Sequence, residues 1–178
     1  MRILIPLMFL LFTVSCDNQI ESNTEELTEI VVTAQRLPEV QINPDELECL
    51  AANIYFEARG EPHLGKLAVA HVTLNRVRSK SFPNDICGVV YQAKTNSKGN
   101  PIRHKCQFSW YCDGKREVID EKDKYEEIKQ LAHEFLSAPN EDITDGAEFY
   151  HAVSVSPFWR KSFQQTVVIN DHIFYKKG

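Results

Sequence analysis

The chain has 178 residues, 43% of them hydrophobic, with 25 acidic side chains against 20 basic ones and a formal net charge of −5. That length bounds one domain with room for a sizeable core, and the apolar fraction excludes a disordered chain. Residues 1–42 hold two arginines against six carboxylates, so four of the five net negative charges lie there and the remainder, nearly neutral and without a basic stripe, offers nucleic acid no electrostatic footprint.

The chain opens with Arg2, an apolar run over 3–12 and small residues up to Cys16. A membrane span needs about 20 apolar residues, so this segment reads as an export signal occupying 1–15. Thr13-Val14-Ser15 resembles an ordinary small-x-small cleavage site. Val14-Ser15-Cys16 resembles the end of a bacterial lipobox, although Thr13 stands where leucine is usual, and lipidation of Cys16 is the reading carried forward. Residues 16–42 are acidic and lack aromatics, so they read as a flexible tether with a reach of roughly 25–30 Å. Within it, Glu29-Ile30-Val31-Val32-Thr33-Ala34 is β-prone and resembles the energy-coupling box of outer-membrane receptors, a weak strand-addition partner whose plainer reading is a sticky linker.

Export sets the reading of the thiols. An oxidising compartment permits disulfides, so Cys49, Cys87, Cys106 and Cys112 are expected to form two, with three pairings open. Zinc held by the same four would want a close Cys-x-x-Cys pair, which is absent. A catalytic thiol at Cys106 or Cys112 lacks a clear base, although His104 is near in sequence.

The domain proper is expected over 43–178. Asn43 as N-cap, Pro44 at the first helical position and Glu46 at the third start a helix that ends at Gly60 and Pro62. Leu47, Leu50, Ala51, Ile54 and Ala58 share one stripe, and Glu57 lies at its edge, where partial desolvation favours a neutral, proton-donating carboxyl. A solvated flank residue is the plain alternative. A second helix over 65–78 is apolar most of the way round and therefore central; His71 on its stripe reads as a core histidine, and Asn75 with Arg76 as a buried hydrogen-bonding pair.

A polar loop over 94–104 leads to a short β-prone segment, Gln107-Phe108-Ser109-Trp110. In a sugar-binding cleft aromatic faces stack on pyranose rings while amides and hydroxyls read the equatorial groups, which makes Gln107, Ser109 and Trp110 candidate wall residues and Phe108 core. Residues 122–136 repeat apolar side chains at helical spacing. Beyond Asp145-Gly146 strands follow over 147–152, 165–169 and 172–175, the last two joined by Asn170-Asp171 as a hairpin. The expected fold is α+β, with N-terminal helices packed on a small antiparallel sheet in one compact domain.

Tyr55-Phe56-Glu57-Ala58-Arg59-Gly60-Glu61-Pro62, then Gly65, Ala68-Val69-Ala70 and Leu74-Asn75-Arg76-Val77, resembles the opening of the SleB-like cell-wall hydrolases, the family of the spore-cortex-lytic enzymes. Later blocks follow in order: Phe82-Pro83, Cys87 to Gln92, Cys106 to Trp110 with Cys112-Asp113-Gly114, Phe149-Tyr150-His151, Pro157 with Trp159, and His172 with Phe174-Tyr175. The resemblance covers roughly 46–176. It implies a peptidoglycan substrate, a cleft between helices and sheet, and lytic-transglycosylase activity on the bond between N-acetylmuramic acid and N-acetylglucosamine. It also makes Tyr150, His151, Trp159 and His172 candidate cleft residues.

Glycan cleavage needs a proton on the leaving oxygen, and Glu57 is expected to supply it. Glu61 is a candidate substrate contact whose plainer role is capping or pairing with Arg59 or a lysine. Asp113 and Asp145 sit in Asp-Gly turns, so no protein nucleophile is evident. Three alternatives stand: a hydrolytic muramidase, a zinc-type amidase drawing on His151 and His172, and a non-catalytic glycan-binding lipoprotein. The preferred reading calls for no cofactor or metal and locates the protein in the cell envelope.

Overall fold

The computed structural model describes residues 41–138 and 141–178. The export signal, Cys16, the segment 29–34 and nearly all of the tether lie outside the described residues. Helix α1 (Pro44–Ala58) starts as its sequence predicts: the Asn43 side chain accepts the Asp45 N–H at 2.9 Å, and Pro44 opens the first turn. Glu46, at the third helical position, serves another element. Its carboxylate accepts the N–H groups of Ile86 at 2.6 Å and Cys87 at 3.4 Å, the free amides at the start of another helix.

Helix α2 (His63–Arg78) is central, as expected from its apolar circumference. Val69 and Ala70 join the main core with Leu50, Ile54, Val89, Val90, Phe108, Ile128 and Phe135, while Ala68 and Val72 face a second core with Ala147 and Phe174. His71 is 3% exposed, edge-on to Phe135 and 3.6 Å from Asp142, and burial lowers its pKa, so it is a neutral core histidine. Helix α3 (Ile86–Val90) was not anticipated. Five residues are too few to hold a helix alone; this one is capped by Asp85, which accepts the Gly88 N–H at 2.6 Å, and by Glu46, and is stapled to α1 through Cys87.

The polar stretch expected to be a loop is a hairpin, β1 (Ala93–Thr95) and β2 (Pro101–Cys106). Its strands are exposed almost throughout, so no alternation marks them in sequence, and the turn is held by Asn96, whose side chain accepts from Lys98 and Asn100. The β-prone segment expected after it is not a strand: Ser109–Cys112 form a 3₁₀ turn. Helix α4 (Lys122–Ser137) packs Ile128, Ala132 and Phe135 against α1 and α2. Strands β3 (Phe149–Ala152), β4 (Gln164–Ile169) and β5 (His172–Lys176) form an antiparallel sheet in the order β3-β5-β4, and a second 3₁₀ turn covers Phe158–Ser162. The architecture is α+β as expected, with an additional two-stranded sheet.

The four thiols form two disulfides, Cys49–Cys87 with a sequence separation of 38 and Cys106–Cys112 with a separation of 6. Loop-closure entropy assigns about 4 kcal/mol to the first and about 2 kcal/mol to the second. Urea melts of the paired variants Cys49→Ser/Cys87→Ser and Cys106→Ser/Cys112→Ser are expected to reproduce that order. An equal loss, or none, would mean that the folded state is strained or that the unfolded chain stays compact.

Candidate active site

Glu57 is one residue from the end of α1, on the side that meets the three-stranded sheet, and the sheet supplies its partner. In β3 side chains alternate between faces: Tyr150 points to the helices with Phe174 and His172 of β5, while Phe149, His151 and Tyr175 point away. The Tyr150 hydroxyl donates to Glu57 Oε2 at 2.7 Å. Burial pushes the Glu57 carboxyl above its ordinary range, and the Tyr150 hydrogen bond and the Arg76 charge pull it down without cancelling that effect. Tyr150, partly buried and beside Glu57, is raised well above the usual phenol value by desolvation and by that carboxylate, and stays a donor.

Arg76 is 4% exposed and completes the group. Its Nε donates to the Glu148 carbonyl at 2.8 Å, and its guanidinium lies 4.6 Å from the Phe108 ring centre and 5.3 Å from that of Phe82. Burial lowers its pKa, opposed by Tyr150, Glu57 and Glu148. Asn75, its neighbour, donates to Asp142, Thr144 and the Ala147 carbonyl and so ties α2 to the approach to β3. The expected buried pair therefore divides: Asn75 positions the strand that carries Tyr150, and Arg76 brings its charge near enough to act on Glu57.

A cavity of about 380 Å³ opens beside this group, lined by Arg76, Tyr150, Gln107 and Trp159 with Phe149 and Phe163. Gln107 and Trp159 of the candidate wall residues meet there. Ser109 is exposed at the start of its 3₁₀ turn, and Trp110 turns away, its indole N–H donating to Asn53 at 3.0 Å and its ring stacked on Phe56 at 4.6 Å. His151 lies on the far face of the sheet. Its Nδ1 is 2.9 Å from the Ala152 carbonyl, which only accepts, so Nδ1 carries the proton and Nε2, 3.0 Å away, accepts from the Tyr175 hydroxyl.

His172 stands edge-on to Tyr150 with ring centres 5.2 Å apart, and its Nδ1 is 3.9 Å from Glu61 Oε1. Burial lowers its pKa, against the pull of Glu61 and Asp171. Glu61 pairs with neither cation anticipated for it: Arg59 goes to Glu121 at 3.1 Å, and Lys66 reaches the Glu61 backbone carbonyl. Its carboxylate meets the Asp171 N–H at 3.4 Å and packs over Gly65, where an added Cβ would come within 2.7 Å of the Glu61 side chain. Asp113 and Asp145 serve turns, as expected; Asp113 accepts the Lys115 N–H, and Asp145 pairs with Lys176. Among the described residues no three His, Cys, Asp or Glu side chains converge as a metal site, and no helix is long and apolar enough to cross a membrane.

Arg76 as a partner of Glu57 was missed in sequence. The signal was present: a cation beside Val69, Val72 and Thr73 on a helix buried all round demands a counter-group inside the fold.

A carboxyl whose pKa burial raises, beside a polar and aromatic cavity, suits acid–base bond cleavage, and the class this fold and site define is that of the lytic enzymes. A family model described as Cell Wall Hydrolase matches residues 60–175, and the chain belongs to that family. Glu61, Arg76, Gln107, Tyr150, Trp159 and His172 fall inside the matched span, and Glu57 lies three residues before it.

The spore cortex-lytic enzyme of Bacillus cereus is 48% identical over 50 residues, 28% of this chain and 19% of that protein. That of Bacillus subtilis is 46% identical over 48 residues, 27% of this chain and 16% of the relative. The matching stretch thus spans less than a fifth of these relatives' length. Two solved structures align over far more. The catalytic domain of the Bacillus cereus SleB protein is 28% identical with a TM-score of 0.54, covering 77% of this chain and 94% of that one. The catalytic domain of a germination-specific lytic transglycosylase SleB from Bacillus anthracis is also 28% identical, with a TM-score of 0.58 and coverage of 77% and 98%.

Proposed function

We propose that this domain cleaves the glycan strand of peptidoglycan between N-acetylmuramic acid and N-acetylglucosamine, as a lytic transglycosylase with Glu57 as its acid and base. The observation that carries the reading is the Glu57 carboxyl, raised by burial and held by Tyr150 at 2.7 Å beside the aromatic cavity. Protonated Glu57 gives its proton to the glycosidic oxygen as the bond to C1 breaks. The carboxylate left behind accepts the Tyr150 O–H and is stabilised by the Arg76 charge. It then takes the proton of the muramic acid C6 hydroxyl, whose oxygen closes on C1 in place of water and leaves Glu57 protonated again.

An attack from within the same sugar has a high effective concentration and needs no protein nucleophile. Gln107 and Trp159 are the side chains of the cavity suited to a sugar amide and a pyranose face. The relative solved from Bacillus anthracis is described as a lytic transglycosylase, which supports the same reading. Residues 1–15 would direct export, and Cys16 with the 16–42 tether would hold the domain at a membrane facing the wall.

Mass spectrometry of fragments released from purified peptidoglycan tests the chemistry. The products are expected to carry 1,6-anhydromuramic ends, one water lighter than hydrolytic ends. Reducing muramic ends that incorporate oxygen-18 from labelled water would establish a hydrolytic muramidase instead.

A further inference from the structure

A second cavity, of about 370 Å³, lies on another face of α1, and no step of the chemistry above uses it. Phe56, Tyr91, Trp110, Tyr111 and Tyr125 line it together with the exposed carboxylates Glu48 and Glu117. The rings do not form a flat platform of the kind on which a sugar lies. Tyr91, Trp110 and Tyr111 meet one another edge to face at 65–75°, with centres 4.9–6.1 Å apart. Phe56 covers a face of Trp110. Rings so inclined leave no broad flat surface for a pyranose, while the part of a ring face left open to the cavity suits a compact cation.

Charge agrees with shape. Glu48 is neutralised within the fold by Lys129 and accepts the Tyr125 hydroxyl at 2.8 Å. Glu117 forms no ion pair among the described residues, although it lies near enough to Tyr91 to act on its hydroxyl. Of the charged side chains lining the cavity, Glu117 is thus the one without an ion pair among the described residues, and Tyr91, Tyr111 and Tyr125 bring phenol groups to the same lining. A primary ammonium brings one positive charge and three donors, and it answers both.

We propose that this cavity binds an alkylammonium group, the side-chain amine of a peptide attached to the glycan. The choice of a wall peptide as its source rests on the function proposed above; the choice of an alkylammonium does not. One short segment joins the two sites: Gln107 lines the cavity beside Glu57, and Trp110 and Tyr111 line this one. A substrate lying along 107–111 touches both, so the amine holds the polymer while its glycan is cut.

The two tryptophans of the chain fall in different cavities, Trp159 in one and Trp110 in the other. In Trp159→Phe the remaining indole therefore reports on this site alone. Titration with a short lysine-containing peptide is expected to change Trp110 fluorescence saturably, at least tenfold more weakly once the amine is acetylated and at least tenfold more weakly in Glu117→Gln. Calorimetry of the same peptides on the unaltered chain reads the same binding without relying on the tryptophan variant. Equal binding of free and acetylated peptide, or none, overturns the proposal.

Purified walls with acetylated stem amines identify the source. The wild type is expected to cut them with a raised KM and an unchanged kcat. An unchanged KM, with peptide binding intact, overturns the wall peptide as ligand. Failure to cut untreated walls counts against the proposed function and leaves the titration result standing.

Discussion

Replacing Glu57 with glutamine is expected to lower wall cleavage by about 10²–10⁴-fold, the usual cost of removing a general acid, with the fold intact. Glutamine keeps the size of the side chain and still accepts the Tyr150 O–H, so the loss falls on proton transfer. Near-normal activity on purified walls would end the assignment, and Glu61→Gln is expected to be milder. The pH dependence gives an independent check. Because the carboxyl is raised, the proton donor survives above the ordinary carboxylate range, and the alkaline limb of kcat/KM reports its loss. The Tyr150 bond lowers that pKa, so Tyr150→Phe should move the limb to higher pH.

Stability follows the same sign. A carboxyl whose folded pKa exceeds its unfolded value contributes fully below the unfolded pKa, and this contribution is lost as pH rises through the folded one. Glu57→Gln should therefore flatten the decline in unfolding free energy as pH rises through and above the ordinary carboxylate range. Urea melts across that interval read it directly.

Arg76→Gln is expected to cost on the order of 3 kcal/mol. It removes a hydrogen bond from a charged donor, worth about 1.5–3 kcal/mol, and guanidinium contacts with the faces of Phe108 and Phe82, worth up to about 2 kcal/mol when desolvated. The variant should also shift the alkaline limb upward, since the Arg76 charge pulls Glu57 down. Arg76→Lys separates the two effects: it restores charge but not the fork, so the limb should return toward wild type while part of the stability remains lost. If Arg76→Gln melts like the wild type, the buried guanidinium holds nothing together. If its limb stays in place, Arg76 is structural only.

Much of the fold was legible because local chemistry and burial agreed. Asn43 and Pro44 begin α1 wherever it packs, the apolar circumference of α2 requires enclosure on all sides, and Asn170-Asp171 closes the β4–β5 hairpin through the turn itself, with Asn170 at φ 50°. Elements without local support were not legible. Helix α3 depends on Glu46 and a disulfide reaching from α1, and β1–β2 is a polar hairpin lacking a hydrophobic face. Trp110 faces away from the candidate cleft because Asn53, far off in sequence, takes its indole N–H.

For the site itself, helical periodicity alone determined that Glu57 would stand at the edge of a buried stripe, since the angle between residues of a helix is the same in any fold. Tertiary structure decided which groups surround it. Tyr150 reaches Glu57 across 93 residues and Arg76 comes from another helix, and the paired register of β3 with β5 turns Tyr150 inward and His151 outward. The proton affinity of a carboxyl depends on its solvation and on charges a few ångströms away, and those are set by contacts between distant segments that only the packed chain brings together.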